Sequence, residues 1–192
     1  MNSKSSDKLK CVCETATWCR VCNSVHFKKQ FDEWTSGNET IDNFIQKIQL
    51  EAINDAKILE WVPFKYISSV EPLAKGGYGI VYKAKWELGP ISHYDNEIKS
   101  WCRSGKTDVV LKYIKNLNNF YEFFQEITAQ MTSTKEFGYI IRCYGITKCP
   151  GADKYLMITD YKKDGNLEKY LYSNFKRLNW ERKLELLYTT IK

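Results

Sequence analysis

The stretch Leu73-Ala74-Lys75-Gly76-Gly77-Tyr78-Gly79-Ile80-Val81-Tyr82 decides how the fold of this chain is interpreted. Its glycines crowd the point where two segments of alternating polarity meet, residues 64–72 before it and 82–86 after it. Because glycine has no Cβ, backbone N–H groups there can approach a ligand closely, as they do in phosphate-binding loops. Glycines between two strands more often mark a plain hairpin turn. The stretch alone therefore predicts a hairpin, with phosphate binding as the alternative.

Composition and charge narrow the class of protein. A chain of 192 residues, 43% hydrophobic and 15% aromatic, is long enough to bury one core with an appendage. Its net charge of +6 is scattered along the chain without the aromatic-and-basic motif of an RNA-binding sheet, so we expect no nucleic-acid partner. It has no run of about 18 apolar residues and no apolar signal core near its start. We expect an intracellular protein of the cytoplasm or nucleus, neither secreted nor transmembrane.

Four of the seven cysteines lie close together near the start of the chain. In a chain without a secretion signal, cysteines indicate thiols or metal ligands rather than disulfides. The four form two close-set pairs: Cys11 with Cys13, and Cys19 with Cys22. Zinc prefers four soft ligands in a tetrahedral arrangement, which two such pairs can supply. Segment 1–35 is therefore predicted to hold a zinc knuckle, with a cluster of reduced thiols as the alternative, and His26 is interpreted as a surface residue.

Residues 36–62 are predicted to form one amphipathic helix of about five turns. Ser36-Gly37-Asn38-Glu39 has the spacing of a capping box, and Pro63 disfavours continuation at the other end. Apolar residues recur at steps of three and four: Ile41, Phe44, Ile45, Ile48, Ala52, Ala56 and Leu59. A single helix of this kind must cover its apolar face. We expect it to pack on the body of the protein or on a protein partner.

The segment after the glycines alternates with a period of two, which predicts a strand. A strand in this place excludes the dinucleotide-binding fingerprint, in which a helix follows the glycines. The polar segment 87–108 is predicted to be an inserted loop. Within it, Ser104-Gly105-Lys106-Thr107 is not a nucleotide loop, because Ser100 stands where that pattern requires a glycine.

The next strand and the next helix each carry one charged residue that can face inward. Lys112 lies at the end of an apolar strand and shares its face with Val110, because side chains alternate. A lysine in that place is costly unless it reaches water or an anion. The following helix has an apolar stripe of Phe120, Phe123, Phe124, Ile127 and Met131. Glu126 flanks that stripe and can point inward toward the sheet, as Lys112 can from its strand; the alternative is that each is an ordinary surface charge.

Two more strands, at 139–147 and 155–161, precede short helices that begin near Asp164 and Asn179. The last apolar stripe still continues at Lys192, which we expect of an incomplete domain. Taken in order, the five strands, the helix and the glycine hairpin resemble the small lobe of a protein kinase. The resemblance covers 64–192 and implies an α+β fold: a five-stranded antiparallel sheet with one helix, followed by the first helices of the large lobe.

Two further segments narrow the resemblance. Asp164-Gly165-Asn166-Leu167 and Asn179-Trp180-Glu181-Arg182-Lys183 look like the tyrosine-kinase-like branch, which includes serine/threonine and tyrosine kinases. The cysteine segment, the stretch 34–38 and Trp61-Val62-Pro63 together look like expanded kinase families of root-symbiotic fungi.

The resemblance implies an ATP site. Residues 73–82, with Leu73, Gly76, Gly77 and Gly79, resemble the kinase glycine-rich loop. Ala74 replaces its first glycine and adds a methyl group near the phosphates. Tyr78 matches the aromatic tip of the loop, and Val81 matches the residue over adenine. Val110 takes the alanine position of the V-A-I-K strand.

The same resemblance implies the catalytic and hinge residues. Lys112 corresponds to the lysine that contacts the phosphates, and Glu126 to the carboxylate that holds it. Thr159 matches the residue behind the adenine pocket. Asp160 and Tyr161 match the hinge, whose backbone groups bond adenine.

The sequence departs from the family in its catalytic half. It contains no H-R-D stretch for the catalytic aspartate and no D-F-G stretch for the aspartate that holds magnesium. The resemblance thus implies ATP binding, with magnesium in the complete family, and no phosphotransfer by this chain alone. The alternative is a non-enzymatic interaction module that docks on a protein partner through its amphipathic helix or its truncated large lobe.

Overall fold

The computed structural model describes residues 18–76, 79–113, 120–133, 141–152 and 154–163, together with 174, 179–181 and 184. These residues form an α+β fold, as predicted. Its α-helices and strands are, in order, α1 (Arg20–Lys29), α2 (Glu39–Glu51), β1 (Glu60–Trp61), β2 (Ile67–Gly76), β3 (Gly79–Trp86), β4 (Ile91–Asp95), β5 (Ser100–Arg103), β6 (Thr107–Tyr113), α3 (Phe120–Ser133), β7 (Cys143–Lys148) and β8 (Tyr155–Asp160).

The main sheet has six strands in the order β1-β7-β8-β6-β3-β2, so the predicted number of five is wrong. The five predicted strands pair antiparallel as expected. The sixth strand, β1, runs parallel to β7 and places Glu60 opposite Gly145. A Cβ at Gly145 would lie 2.2 Å from the Glu60 carbonyl oxygen, so only glycine permits this close pairing. Two residues are too few to show an alternating pattern in the sequence.

The sheet separates two hydrophobic clusters. The cluster that α2 and α3 cover consists of Ile41, Ile45, Leu59, Phe123, Ile127, Met131, Cys143, Ile146, Tyr155 and Met157. The other consists of Val62, Ile67, Ala84, Trp86, Val109, Leu111, Tyr144, Leu156 and Ile158. Residues of β8 alternate between the two clusters, because successive side chains of a strand point to opposite faces. Helix α3 and the residues of the predicted ATP site therefore lie on the same face of the sheet.

Helix α2 is shorter than the predicted five turns and ends at Glu51. Ala52 is extended, and its carbonyl accepts a hydrogen bond from Trp18 Nε1 at 3.1 Å. Asn54 and Asp55 follow, and such residues favour turns over helix interiors. The predicted capping box is also wrong. Asn38 is the N-cap and accepts from the N–H groups of Thr40 and Ile41, while the Ser36 hydroxyl accepts from the Asn38 N–H.

The apolar face of α2 is covered by the body of the protein. Ile41 and Ile45 are both fully buried, in the same cluster as Phe123 and Ile127 of α3. The sequence predicted that this helix packs either on the body of the protein or on a protein partner. The structure shows that it packs on the body.

Segment 87–108 is a second small sheet rather than the predicted loop, because β4 and β5 pair antiparallel within it. This β4–β5 hairpin packs on α1. The rings of Phe27 and Trp101 stack with centroids 4.3 Å apart, and the rings of His26 and Tyr94 at 3.5 Å. The sequence predicted a loop because β4 and β5 contain few apolar side chains. Those side chains pack on α1, which is distant in the sequence. His26 is half-buried against this hairpin rather than on the open surface.

The predicted helices after Asp160 lie mostly outside the described residues. Trp180, Glu181 and Leu184 are helical and exposed. Within the described ranges, no helix has both the length and the apolar character needed to cross a membrane.

Candidate nucleotide site

Four strands bring the predicted site residues onto one face of the sheet. Their register aligns Ala74 of β2, Val81 of β3, Lys112 of β6 and Met157 of β8 in one row. Directly paired residues project from the same face of a sheet. The next row on that face aligns Lys83, Val110 and Thr159. Residues that are up to 85 positions apart in the sequence thus lie on one face of the sheet, because strand pairing fixes their side.

An ion pair joins this face to α3. Lys112 Nζ lies 2.6 Å from Glu126 Oε1. Phe123 and Ile127, on either side of Glu126 in the sequence, are buried and hold this face of α3 toward the sheet. The two charged side chains are 35% and 43% exposed, and ion pairs that open to water contribute little to stability. The geometry therefore presents a positioned ammonium group on this face of the sheet.

Two valines form an apolar patch beside the ion pair. Val81 and Val110 lie on neighbouring strands and are half-buried, so part of each side chain is exposed on this face of the sheet. Thr159 lies next to Val110 in the register and is buried. This surface suits a flat apolar ring, which gains from contact with partly exposed valine side chains.

The predicted hinge lies at the end of β8. The Asp160 N–H donates to the Arg142 carbonyl at 2.9 Å and is therefore already used within the protein. The Asp160 carboxylate pairs with Lys162. The ring of Tyr161 lies under Lys83 Nζ, which is 4.4 Å from the ring centroid. The prediction from sequence missed Lys83, although its spacing of two from Val81 placed it on the same face.

The glycine stretch forms the predicted hairpin between β2 and β3. Gly76 and Gly79 pair directly at its end, and Gly77 and Tyr78 lie outside the described residues. The register shifts between Pro72 and Ala74, which leaves Leu73 without a paired residue on β3 and 47% exposed. Which of these residues contact a ligand stays a prediction.

A buried thiol lies beneath the ion pair. Cys143 of β7 is 2% exposed in the cluster under α3. Burial, together with a smaller contribution from the negative charge of Glu126, raises the pKa of the Cys143 thiol to about 12. The thiol is therefore neutral at physiological pH.

The zinc prediction finds no support in the structure. Cys19 lies at the N-cap of α1 and Cys22 in its first turn, whereas Cys11 and Cys13 lie outside the described residues. Over the described ranges, no three or more histidine, cysteine, aspartate or glutamate side chains come close enough to hold a metal ion. The described residues thus present no group of ligands suited to zinc.

The comparison with known families identifies the family of this chain. The profile of the family described as protein tyrosine and serine/threonine kinase matches residues 67–191. This chain therefore belongs to the protein tyrosine and serine/threonine kinase family. A search of curated proteins gives no match. The kinase resemblance is confirmed, while the narrower likeness to one branch and to fungal families stays a prediction. The matched region begins with β2, so α1, α2 and β1 precede it.

Proposed function

We propose that this chain binds ATP in the cleft between the β2–β3 hairpin, β6 and the end of β8. The observation that carries the proposal is the Lys112–Glu126 ion pair at 2.6 Å, in the same row of the sheet as Val81 and Ala74. Kinases of this family generally use ATP with magnesium. A fixed ammonium beside an apolar patch suits a ligand with a flat base at one end and phosphates at the other.

Each side chain then has a role that follows from its chemistry. Val81 and Val110 contact the adenine ring, Thr159 closes the cleft behind it, and backbone groups of Asp160 and Tyr161 lie at its edge. Lys112 neutralises phosphate charge, and Glu126 keeps the Lys112 ammonium in place.

The glycine hairpin covers the phosphates in this proposal. Backbone N–H groups of 76–79, which include Gly77 and Tyr78, approach the phosphates because glycines leave room for them. Leu73 borders the adenine side. The methyl group of Ala74, opposite Val81, narrows the entrance, so we expect weaker binding than in kinases with glycine there.

Phosphotransfer requires more than this cleft. Catalysis by kinases depends on positioning and on metal electrostatics, which the H-R-D and D-F-G aspartates provide. Neither stretch occurs in the sequence. We therefore expect Lys112 and Glu126 to serve nucleotide binding here and expect no phosphotransfer by this chain alone.

A thermal-shift titration with ATP and magnesium tests the proposal. At ten times the dissociation constant, the ligand stabilises the folded state by about 1.4 kcal/mol, which raises the melting temperature by about 3 °C. Lys112→Met should abolish this shift. Lys106→Met is the matched control, because Lys106 is 54% exposed and pairs with Glu87 away from the cleft. No shift at millimolar ATP for the unmodified chain would refute the proposal.

A further inference from the structure

Helix α3 is held by a second contact on the side away from Glu126. The rings of Phe44 in α2 and Phe124 in α3 stack with centroids 3.8 Å apart and planes 11° apart. Phe124 and Glu126 are two residues apart, which places them on nearly opposite sides of a helix with 3.6 residues per turn. α3 is therefore held between α2 on one flank and Lys112 of β6 on the other.

Helix α2 is also held by hydrogen bonds that do not involve α3. At its start, Ser36 donates its N–H to Asp42 at 2.8 Å and accepts at its carbonyl from the Tyr155 hydroxyl of β8 at 3.1 Å. At its end, Gln49 Nε2 donates to the Leu59 carbonyl at 2.9 Å. These hydrogen bonds hold Phe44 in place in addition to the packing of α2 on α3.

The rotation of α3 depends on both flanks. Its buried stripe of Phe123, Ile127 and Met131 decides which face packs on the sheet. Apolar contacts are not directional, so the stripe sets the rotation of α3 less finely than an ion pair or a stacked ring does. Removing the Phe44 ring opens space beside Phe124, and a rotation of α3 into that space carries Glu126 away from Lys112.

We propose that Phe44 is a positioning residue that holds α3 in the rotation at which Glu126 reaches Lys112. Phe44 precedes the region matched by the kinase family, which begins at residue 67, so the sequence before that region controls the site. The effect of Phe44 on nucleotide affinity rests on the proposed ATP binding. The effect on the Lys112–Glu126 pair does not.

Amine labelling of the full chain tests this without nucleotide. The protein is treated with limiting acetic anhydride, and acetylation of Lys112 relative to Lys85 is measured by mass spectrometry. An ion-paired ammonium reacts less readily, so Glu126→Gln should raise labelling of Lys112 about threefold. Phe44→Ala should raise it similarly, and adding Phe44→Ala to Glu126→Gln should add nothing, because both act through one pair.

Two variants separate positioning from general destabilisation. Phe44→Tyr keeps the stacked ring and should restore normal labelling. Phe27→Ala removes an equal side chain from the cluster between α1 and the β4–β5 hairpin and should leave Lys112 unchanged. Where Phe44→Ala does not fold by circular dichroism, Phe44→Leu is measured by the same criteria.

Three results would overturn the proposal: unchanged Lys112 labelling in folded Phe44→Ala or Phe44→Leu, an equal rise in Phe27→Ala, or independent effects of the Phe44 and Glu126 changes. A parallel titration with a fluorescent ATP analogue distinguishes the two proposals. Absence of binding to the unmodified chain refutes ATP binding, while the labelling result still decides the role of Phe44. Where binding occurs, Phe44→Ala should weaken it by about the same factor as Glu126→Gln.

Discussion

Two ion pairs of nearly equal length occur in different regions of this protein. Arg103 Nη2 lies 2.7 Å from Glu60 Oε2, between the β4–β5 hairpin and β1, and Lys112 Nζ lies 2.6 Å from Glu126 Oε1 in the cleft. Their surroundings differ. The Glu60 side chain is 6% exposed, whereas the Glu126 side chain is 43% exposed.

The difference indicates which pair is structural. Glu60 also accepts from the Ile91 N–H at 3.0 Å, and Arg103 also donates to the Gly89 carbonyl at 2.7 Å, so both groups of the buried pair have further partners within the protein. Burial raises the pKa of Glu60, while Arg103 opposes that rise and favours the charged form. The pair in the cleft faces solvent, where a ligand can reach the ammonium. The two ion pairs therefore differ in the burial of their carboxylates and not in their N–O distances.

Removing Arg103 should have the largest effect on stability. Arg103→Ala leaves a buried carboxylate without its countercharge, and we expect a loss of about 3 kcal/mol in the free energy of unfolding, measured by urea denaturation. The control is Lys106→Ala, which removes an exposed partner of Glu87 and should change stability by about 0.5 kcal/mol or less. Equal losses in both variants would contradict the distinction drawn from burial.

Raising the pH should lower the stability of the protein, because the Cys143 thiol is buried under α3. The pKa of Cys143 is about 12 in the folded protein, against about 8.5 in an unfolded chain. Between these values the unfolded state loses a proton that the folded state keeps, so stability falls as pH rises. The expected slope is about 1.4 kcal/mol per pH unit above 9.

Urea denaturation at pH 7, 9 and 10 measures this slope. Cys143→Ala supplies the comparison, since it removes the titrating thiol and should show a shallower fall over the same range. Identical slopes for the two proteins would show that the thiol is not held neutral under α3.

Breaking the Lys112–Glu126 ion pair should have the smallest effect on stability. Glu126→Gln removes a partly exposed charge, and we expect the free energy of unfolding to change by about 0.5 kcal/mol or less. The same denaturation curves as for Arg103→Ala measure it. A loss as large as that of Arg103→Ala would give both pairs a structural role and would remove the basis of the comparison.

The parts of the fold that follow a local pattern were predictable. Alternation placed Lys112 and Val110 on one face, and the stripe of α3 placed Glu126 beside it, because strand and helix periods fix side-chain directions. The five antiparallel strands followed from the same period of two. The ion pair at 2.6 Å is the geometric outcome of those two local patterns.

The parts that depend on distant partners were not predictable. The β4–β5 hairpin forms because Trp101 finds Phe27 of α1, which lies more than 70 positions earlier in the sequence. Helix α2 ends early because Trp18 bonds the Ala52 carbonyl, again across a long separation. Phe44 was recognised as apolar, but its contact with Phe124 depends on how two helices are placed on the sheet.

The two residues of β1 also protect the sheet from other chains. Strand β7 would otherwise be the outermost strand, with N–H and C=O groups free to pair with a strand of another molecule. Glu60 and Trp61 occupy that edge, and Gly145 lets them come close enough to do so. A piece of this protein that began at residue 67 would lack this cover, so we expect it to self-associate even if each remaining strand folded correctly.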